Sequence, residues 1–283
     1  MLRRRFLAGS LAAAATPFTK PLGLSLYTIR GPLASKPAET YKAVAALGIT
    51  QLEVRADNLN NHEAMIRDAG LKPVHLFIDS AVITGAWDEW AKLMARMKAA
   101  PPAVKPTLDD VIATAVKHGL KRVGISMLLP GEREGALDKI NKAVETCAKA
   151  KIEFYYHNHA WEFEGEPGER FIDKLHKQLD KRAKLELDCF WAAIGGDDPA
   201  AVLKRWRGRT GSLHLKDVAA NAPKKGSEFS MPPTAFKEVG FGTLDWKKIL
   251  AAAKADYYFI EQDSTPGDPI ESLRKSVAYL RGM

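Results

Sequence analysis

Eight short apolar runs, each followed by a longer stretch of helical periodicity, recur along this 283-residue chain, and that alternation restricts its fold more than any other feature. The strand-like runs are Leu22–Tyr27, Gln51–Arg55, Pro73–Ile78, Arg122–Ser126, Glu153–His159, Leu185–Trp191, Ser212–Asp217 and Tyr258–Asp263. Helix-period stretches lie near 37–47, 60–69, 86–98 with 107–118, 134–150, 168–180, 199–206, 245–255 and 269–281. Asp198-Pro199 and Asp268-Pro269 read as helix starts. Gly48, Gly70 and Gly119 fall where helices should end in the left-handed conformation. Eight such alternations in roughly 250 residues predict a (β/α)8 TIM barrel. An open doubly wound sheet is the rival, and the lack of G-x-G-x-x-G after the first run counts against it. The 219–242 stretch has no clear helix, so it is either a functional loop over the barrel mouth or a disordered excursion.

Residues 1–15 read as a secretory signal: Arg3, Arg4 and Arg5 precede Phe6-Leu7 and a small apolar run ending in Ala12–Ala15. Adjacent arginines before Phe-Leu point to the twin-arginine route and a periplasmic product. Residues 16–283 then form a single domain. No segment has the ~20 consecutive apolar residues of a membrane span. The formal net charge of +8 loses three units with Arg3, Arg4 and Arg5. The remaining basic residues are spread as pairs such as Lys181-Arg182 and Lys224-Lys225, which argues against nucleic-acid binding. The two cysteines, Cys147 and Cys189, sit in a helical stretch and an apolar run, and no disulfide is expected.

In a barrel of this kind, chemistry sits where strands end and the following loops begin. His62, His118 and His176 lie in helical patterns and should be exposed. His75, His157, His159 and His214 lie in or at the ends of strand-like runs. The last four runs also carry Asp188, Lys216 and Glu261, charges that are expensive to bury unpaired. Neighbouring strands lie ~5 Å apart, so groups at matching heights converge. Converging carboxylates repel unless a cation joins them. Mixed Asp, Glu and His donors suit one divalent ion, with Mn, Co or Zn favoured over Mg. Glu53 and His75 should point to the same mouth. Tyr27, Trp161, Phe163, Phe190 and Trp191 cluster at run ends, where flat apolar faces beside polar groups suit a sugar ring.

The strings YYHNHAWEF, LELDCFWAAIGGDDP, HLKD, VGFGTLDW and FIEQD, with the opening GLSLYTIR, resemble the sugar phosphate isomerase/epimerase family of xylose isomerase-like TIM barrels. The likeness spans nearly the whole chain beyond the signal. It implies one metal held by Glu, Asp, His and Glu from strands five to eight, and Asp188, His214 and Glu261 match the last three. Where members read I-E-N-H, this chain reads Tyr156-His157-Asn158-His159, so His157 stands at the usual Glu, with His159 an alternative ligand. Epimerases of the family use the first and last Glu as a proton-transfer pair, and only Glu261 remains here.

The expected chemistry is proton abstraction beside a carbonyl on an unphosphorylated sugar or keto-sugar. Glu261 and His159 are the candidate bases, and Lys216 a candidate proton donor or enolate stabiliser. Tyr27, Glu53, His75, Trp161 and Trp191 are the candidate substrate contacts. Elimination from a 3-keto-glycoside is the alternative outcome at the same site. A non-catalytic sugar-binding barrel is a rival of another class. An apurinic-site endonuclease is disfavoured, since that class carries a richer ligand set for several zinc ions. Family members are often dimers or tetramers, so a homo-oligomer is compatible with the resemblance.

Overall fold

The computed structural model describes residues 18–100 and 104–283; the signal expected at 1–15 lies outside the described residues. Eight parallel strands close into a barrel: β1 (Leu22–Ser25), β2 (Ile49–Val54), β3 (Lys72–Ile78), β4 (Arg122–Ile125), β5 (Glu153–His157), β6 (Lys184–Asp188) and β7 (Thr210–Leu215) come first. The short pair β8 (Asp217–Val218) and β9 (Phe236–Lys237) intervenes before β10 (Tyr257–Ile260). The order around the barrel is β1-β10-β7-β6-β5-β4-β3-β2. The predicted (β/α)8 architecture is therefore the one observed.

Alternation along each strand separates two environments. Leu24, Leu52, Leu76, Val123, Phe154, Leu185, Leu213 and Ile260 belong to the apolar shell packed against the helices. The residues between them, including Glu53, His75, Tyr155, His157, Glu186, Asp188 and His214, are buried outside that shell. Gly124 on β4 makes room among them: a Cβ there would lie 2.6 Å from His75 Nε2.

Helices begin where expected. Asp198 and Asp268 accept the Ala200 and Ile270 N–H groups at 3.0 and 2.9 Å, and Gly48, Gly70 and Gly119 have φ of 79°, 74° and 68°. Most of the apolar runs outlast their strands. Leu26–Ile29 is a 3-10 turn containing Tyr27, His159 lies beyond β5, and Trp191 belongs to the helix Cys189–Ile194. Side chains buried under loops stay apolar after the ladder ends, so hydrophobicity alone overruns the strand. The 219–242 stretch is not an excursion away from the barrel: β8 and β9 pair antiparallel at its base, and Glu228 and Phe229 reach the wall of the mouth cavity.

The helical histidines depart from the expected exposure. His62 meets the Tyr41 hydroxyl at 3.1 Å, His118 meets Glu63 at 3.0 Å, and His176 packs on Trp206. All three are half-buried, because an imidazole's apolar body is covered when its polar edge finds a partner. Cys147 and Cys189 are buried and free. Among the described residues no helix is long and apolar enough to cross a membrane.

Candidate metal centre and active site

β5, β6, β7 and the end of β10 deliver His157, Asp188, His214 and Glu261 to one point, with one donor atom from each within 4.8 Å of the others. His157 Nε2 lies 3.1 Å from His214 Nδ1 and 3.5 Å from Asp188 Oδ2. His214 Nδ1 is 3.6 Å from Asp188 Oδ2 and 2.8 Å from Glu261 Oε2. Donors ~2.0–2.2 Å from a first-row ion have spacings of this order.

In Asp188, Glu261 and His214 the remaining polar atoms are committed elsewhere, which fixes their aim. Asp188 Oδ1 accepts the Trp191 N–H at 2.9 Å and starts the following helix, so Oδ2 is left for the cluster. That oxygen is buried without a well-aligned hydrogen bond. Asp188 is thus both a helix cap and a cluster member. Ser25 Oγ donates to Glu261 Oε1 at 2.9 Å, leaving Oε2 to the cluster. His214 Nε2 faces Glu53 Oε1 at 3.0 Å. A carboxylate only accepts, so Nε2 carries a proton, and Nδ1, which faces Glu261 and His157, is the nitrogen on which a cation would take the place of a proton. His75 Nδ1 in turn contacts Glu53 and Glu186 at 3.1 and 3.4 Å, and Ser212 donates to Glu186 at 2.6 Å.

The electrostatics show that the centre demands positive charge. Burial alone would push His214 down, yet Glu261, Glu53 and Glu186 outweigh it and hold the ring well above its ordinary range. Burial opposes ionisation of Glu261 too, but His214 and Lys216 keep it well below the usual carboxylate range. Asp188 is held low against burial by Lys216, His157 and His214. Glu53, buried as well, is brought to about 2 by His214 and His75. Two imidazoles and two carboxylates with an orphaned oxygen therefore fit a divalent ion.

Lys216, one of the expected catalytic residues, is 2% exposed, with Nζ 3.0 Å from Asp188 Oδ2, 2.6 Å from Glu261 Oε2 and 2.7 Å from Asp263 Oδ1. It is a buried member of the centre and does not reach solvent. His159 lines the cavity above. Its Nδ1 is buried without a partner, and burial, with His157 and Lys216 adding to it, keeps the ring neutral by lowering it well below its ordinary value.

The cavity over the centre has a volume of about 1240 Å³, and Tyr27, Glu53, His157, His159, His214, Lys216 and Glu261 are among its walls. His75, Trp161 and Trp191 are not, which corrects the expectation that they face substrate. His75 is sealed beneath, between Glu53 and Glu186. Trp161 is sandwiched between Phe171 and the Arg133 guanidinium. Trp191 is turned under by the helix Asp188 starts, and supports His159 from 5.1 Å. Glu186 and Asp263 went unassigned in the sequence, although each stands two residues from a chosen ligand, Asp188 and Glu261, and period-2 alternation puts such pairs on one side. Glu162 also went unassigned; Tyr156 and the His159 N–H bond it at 2.8 and 2.9 Å, and burial pushes its carboxyl up to about 8.

A parallel eight-stranded barrel with a two-histidine, two-carboxylate cluster at its C-terminal mouth defines the class, and comparison agrees: residues 41–283 match the xylose isomerase-like TIM barrel, and the chain belongs to that family. It is 28% identical over 158 residues to an inosose dehydratase of Geobacillus thermodenitrificans (strain NG80-2), a match covering 51% of this chain and 52% of that one. The chain thus spans about half the length of the curated relatives it matches. Among solved structures it resembles a sugar phosphate isomerase/epimerase from Parabacteroides distasonis ATCC 8503 (TM-score 0.67, 21% identity, 98% of each chain). It also resembles the D-psicose 3-epimerase of Clostridium cellulolyticum H10 (TM-score 0.61, 14% identity, 92% of this chain and 98% of that one). At these identities the structures speak for the fold.

Proposed function

We propose that the protein is a divalent-metal-dependent isomerase or epimerase of an unphosphorylated sugar or keto-sugar, acting by proton abstraction beside a carbonyl. The convergence of His157 Nε2, Asp188 Oδ2, His214 Nδ1 and Glu261 Oε2 on one point at the base of a cavity carries this reading. A bound divalent ion, with Mn, Co or Zn favoured and Mg compatible, would supply Lewis-acid polarisation of the substrate carbonyl. His159, in the cavity wall with its ring held neutral by burial, removes the proton from the adjacent carbon, with Glu261 the second candidate base. The Lys216 ammonium sits beside both carboxylate ligands and returns a proton or stabilises the developing oxyanion. Tyr27 and Glu53 contribute to substrate orientation from the wall.

An unphosphorylated substrate is supported at the Gly240–Gly242 turn. Its N–H groups could cradle a phosphate, but both donate to Asp217 Oδ2, at 2.9 and 3.2 Å. Elimination is the second reading, favoured by the likeness to inosose dehydratases and by His157 standing where a second proton-transferring carboxylate is expected. Lys216 then protonates the leaving group. The export signal at 1–15 supports a periplasmic location, which cell fractionation of the tagged chain tests.

Metal content of purified wild-type protein beside Asp188→Ala and His214→Ala is the first test. About one ion per chain in the wild type and none in the variants is expected, followed by solvent deuterium uptake into keto-sugars. A wild-type chain that refuses added metal overturns the mechanism and leaves the sugar-binding reading.

A further inference from the structure

The cavity is far larger than the proposed head group requires. At about 1240 Å³ it exceeds the ~300–1,000 Å³ that ordinarily receives a drug-sized ligand, whereas a single sugar ring would occupy only the end over the metal centre. Its walls change character along its length. Near β5, β7 and β10 they are His157, His159, His214, Lys216 and Glu261; beyond β3 they include Leu93, Met94, Met97, Val104, Met127 and Phe229, with Arg96, Asp110 and Thr114 among them.

Exposure marks the same cavity. Six large hydrophobic side chains are exposed among the described residues, and four of them, Tyr27, Met97, Val104 and Phe229, line this one cavity. Met97 and Val104 are 55% and 75% exposed. Apolar side chains left in water and gathered round a polar pocket mark a binding surface, whereas scattered ones carry no meaning. Methionines beside an aromatic suit a flat ring, through sulfur–aromatic contact and adaptable shape. The β8–β9 loop closes over this end, where the Arg96 guanidinium lies 5.3 Å from the Phe229 ring centroid. Next to Phe229, both carboxylate oxygens of Glu228 are buried and unpartnered, and the residue lines the cavity.

We infer that the substrate has two parts: a polyhydroxylated head over the metal centre and a flat apolar ring system, an aryl or fused-ring substituent, in the groove between Met94, Met97, Met127 and Phe229. The inference rests on the sugar-directed reading for the head alone. The groove is continuous with the metal centre in one cavity, which assigns it to the same ligand.

The test measures binding of methyl, phenyl and naphthyl β-pyranosides of glucose, galactose and xylose to metal-loaded protein by calorimetry. The naphthyl member of at least one series binds about tenfold or more tighter than its methyl counterpart, ~1.4 kcal/mol. In Phe229→Ala and in Met97→Glu, an exposed position that tolerates charge, that ratio falls to within about twofold. Equal affinities across each series, no binding by any member, or an unchanged ratio in both variants overturns the inference. If those variants instead change the oligomeric state in light scattering and the wild type shows no naphthyl preference, the groove belongs to a second copy of the chain. Failure here with about one metal ion per chain leaves the proposed function standing. Failure to take up metal defeats that function separately, and a naphthyl preference still decides the groove.

Discussion

In the C-terminal half of the barrel, β5, β6 and β7 carry His157, Asp188 and His214 on the strands themselves, and Glu261 comes directly after β10. In the N-terminal half, strand residues such as Ser25, Glu53 and Phe77 also face the cavity, but its outer wall is built from segments beyond the strand ends: the turn holding Tyr27, the helix Trp87–Arg96 with Leu93 and Met94, and Met127 after β4. Strand residues are fixed by ladder hydrogen bonds and by neighbours at one height, so four donors can be held to a few tenths of an ångström. Loop and helix residues are free to vary without disturbing the barrel. The difference teaches that chemistry and selectivity are separable here. The N-terminal strands still serve the centre from beneath, since Glu53 and His75 hold His214 in place.

The strongest way to break this division is to remove a strand-borne charge. Asp188→Ala deletes a ligand and a helix cap and leaves Lys216 with one fewer carboxylate. Complete loss of bound metal in elemental analysis is expected, with destabilisation of ~3–5 kcal/mol in urea unfolding. Lys216→Met leaves Asp188, Glu261 and Asp263 without their shared ammonium. A cost of similar size, ~3–5 kcal/mol, is expected in metal-free protein and a smaller one after loading; equal costs in both states would show that ammonium and metal do not answer the same carboxylates.

Glu53→Gln tests support from the other half. Losing the carboxylate behind His214 should weaken metal binding ~10–100-fold in chelator competition, with metal still bound at saturation. A pH series probes the next layer down. Burial would lower His75, but Glu186 and Glu53 raise it from 6.5 to about 9. The folded state therefore holds this proton more tightly than the unfolded chain. Its contribution is complete below pH 6.5 and is lost as the pH rises through 9. The midpoint of unfolding should fall across that window, and His75→Gln should flatten the fall. The smallest effect belongs to the groove: Phe229→Ala, in an exposed loop, should shift stability by about 0.5 kcal/mol or less. A larger shift would mean that the β8–β9 loop helps hold the barrel together.

Much of this molecule was legible before any coordinates. Eight short apolar runs with helical intervals determined the barrel, and charges and imidazoles within those runs, narrowed by the family resemblance, pointed to His157, Asp188, His214, Lys216 and Glu261, because a buried charge must find partners wherever the chain goes. Tertiary structure alone decided which atoms meet. His75, Trp161 and Trp191 carry the same kinds of side chain as groups that line the cavity, yet burial under Glu53, stacking on Phe171 and the helix begun by Asp188 withdraw them from it. Nor did any run of sequence foretell the groove, whose walls come from residues as distant as Tyr27, Met97 and Phe229. Periodicity is local and arises from backbone geometry. A cavity is made by the space between elements, and that space exists only once the barrel has closed.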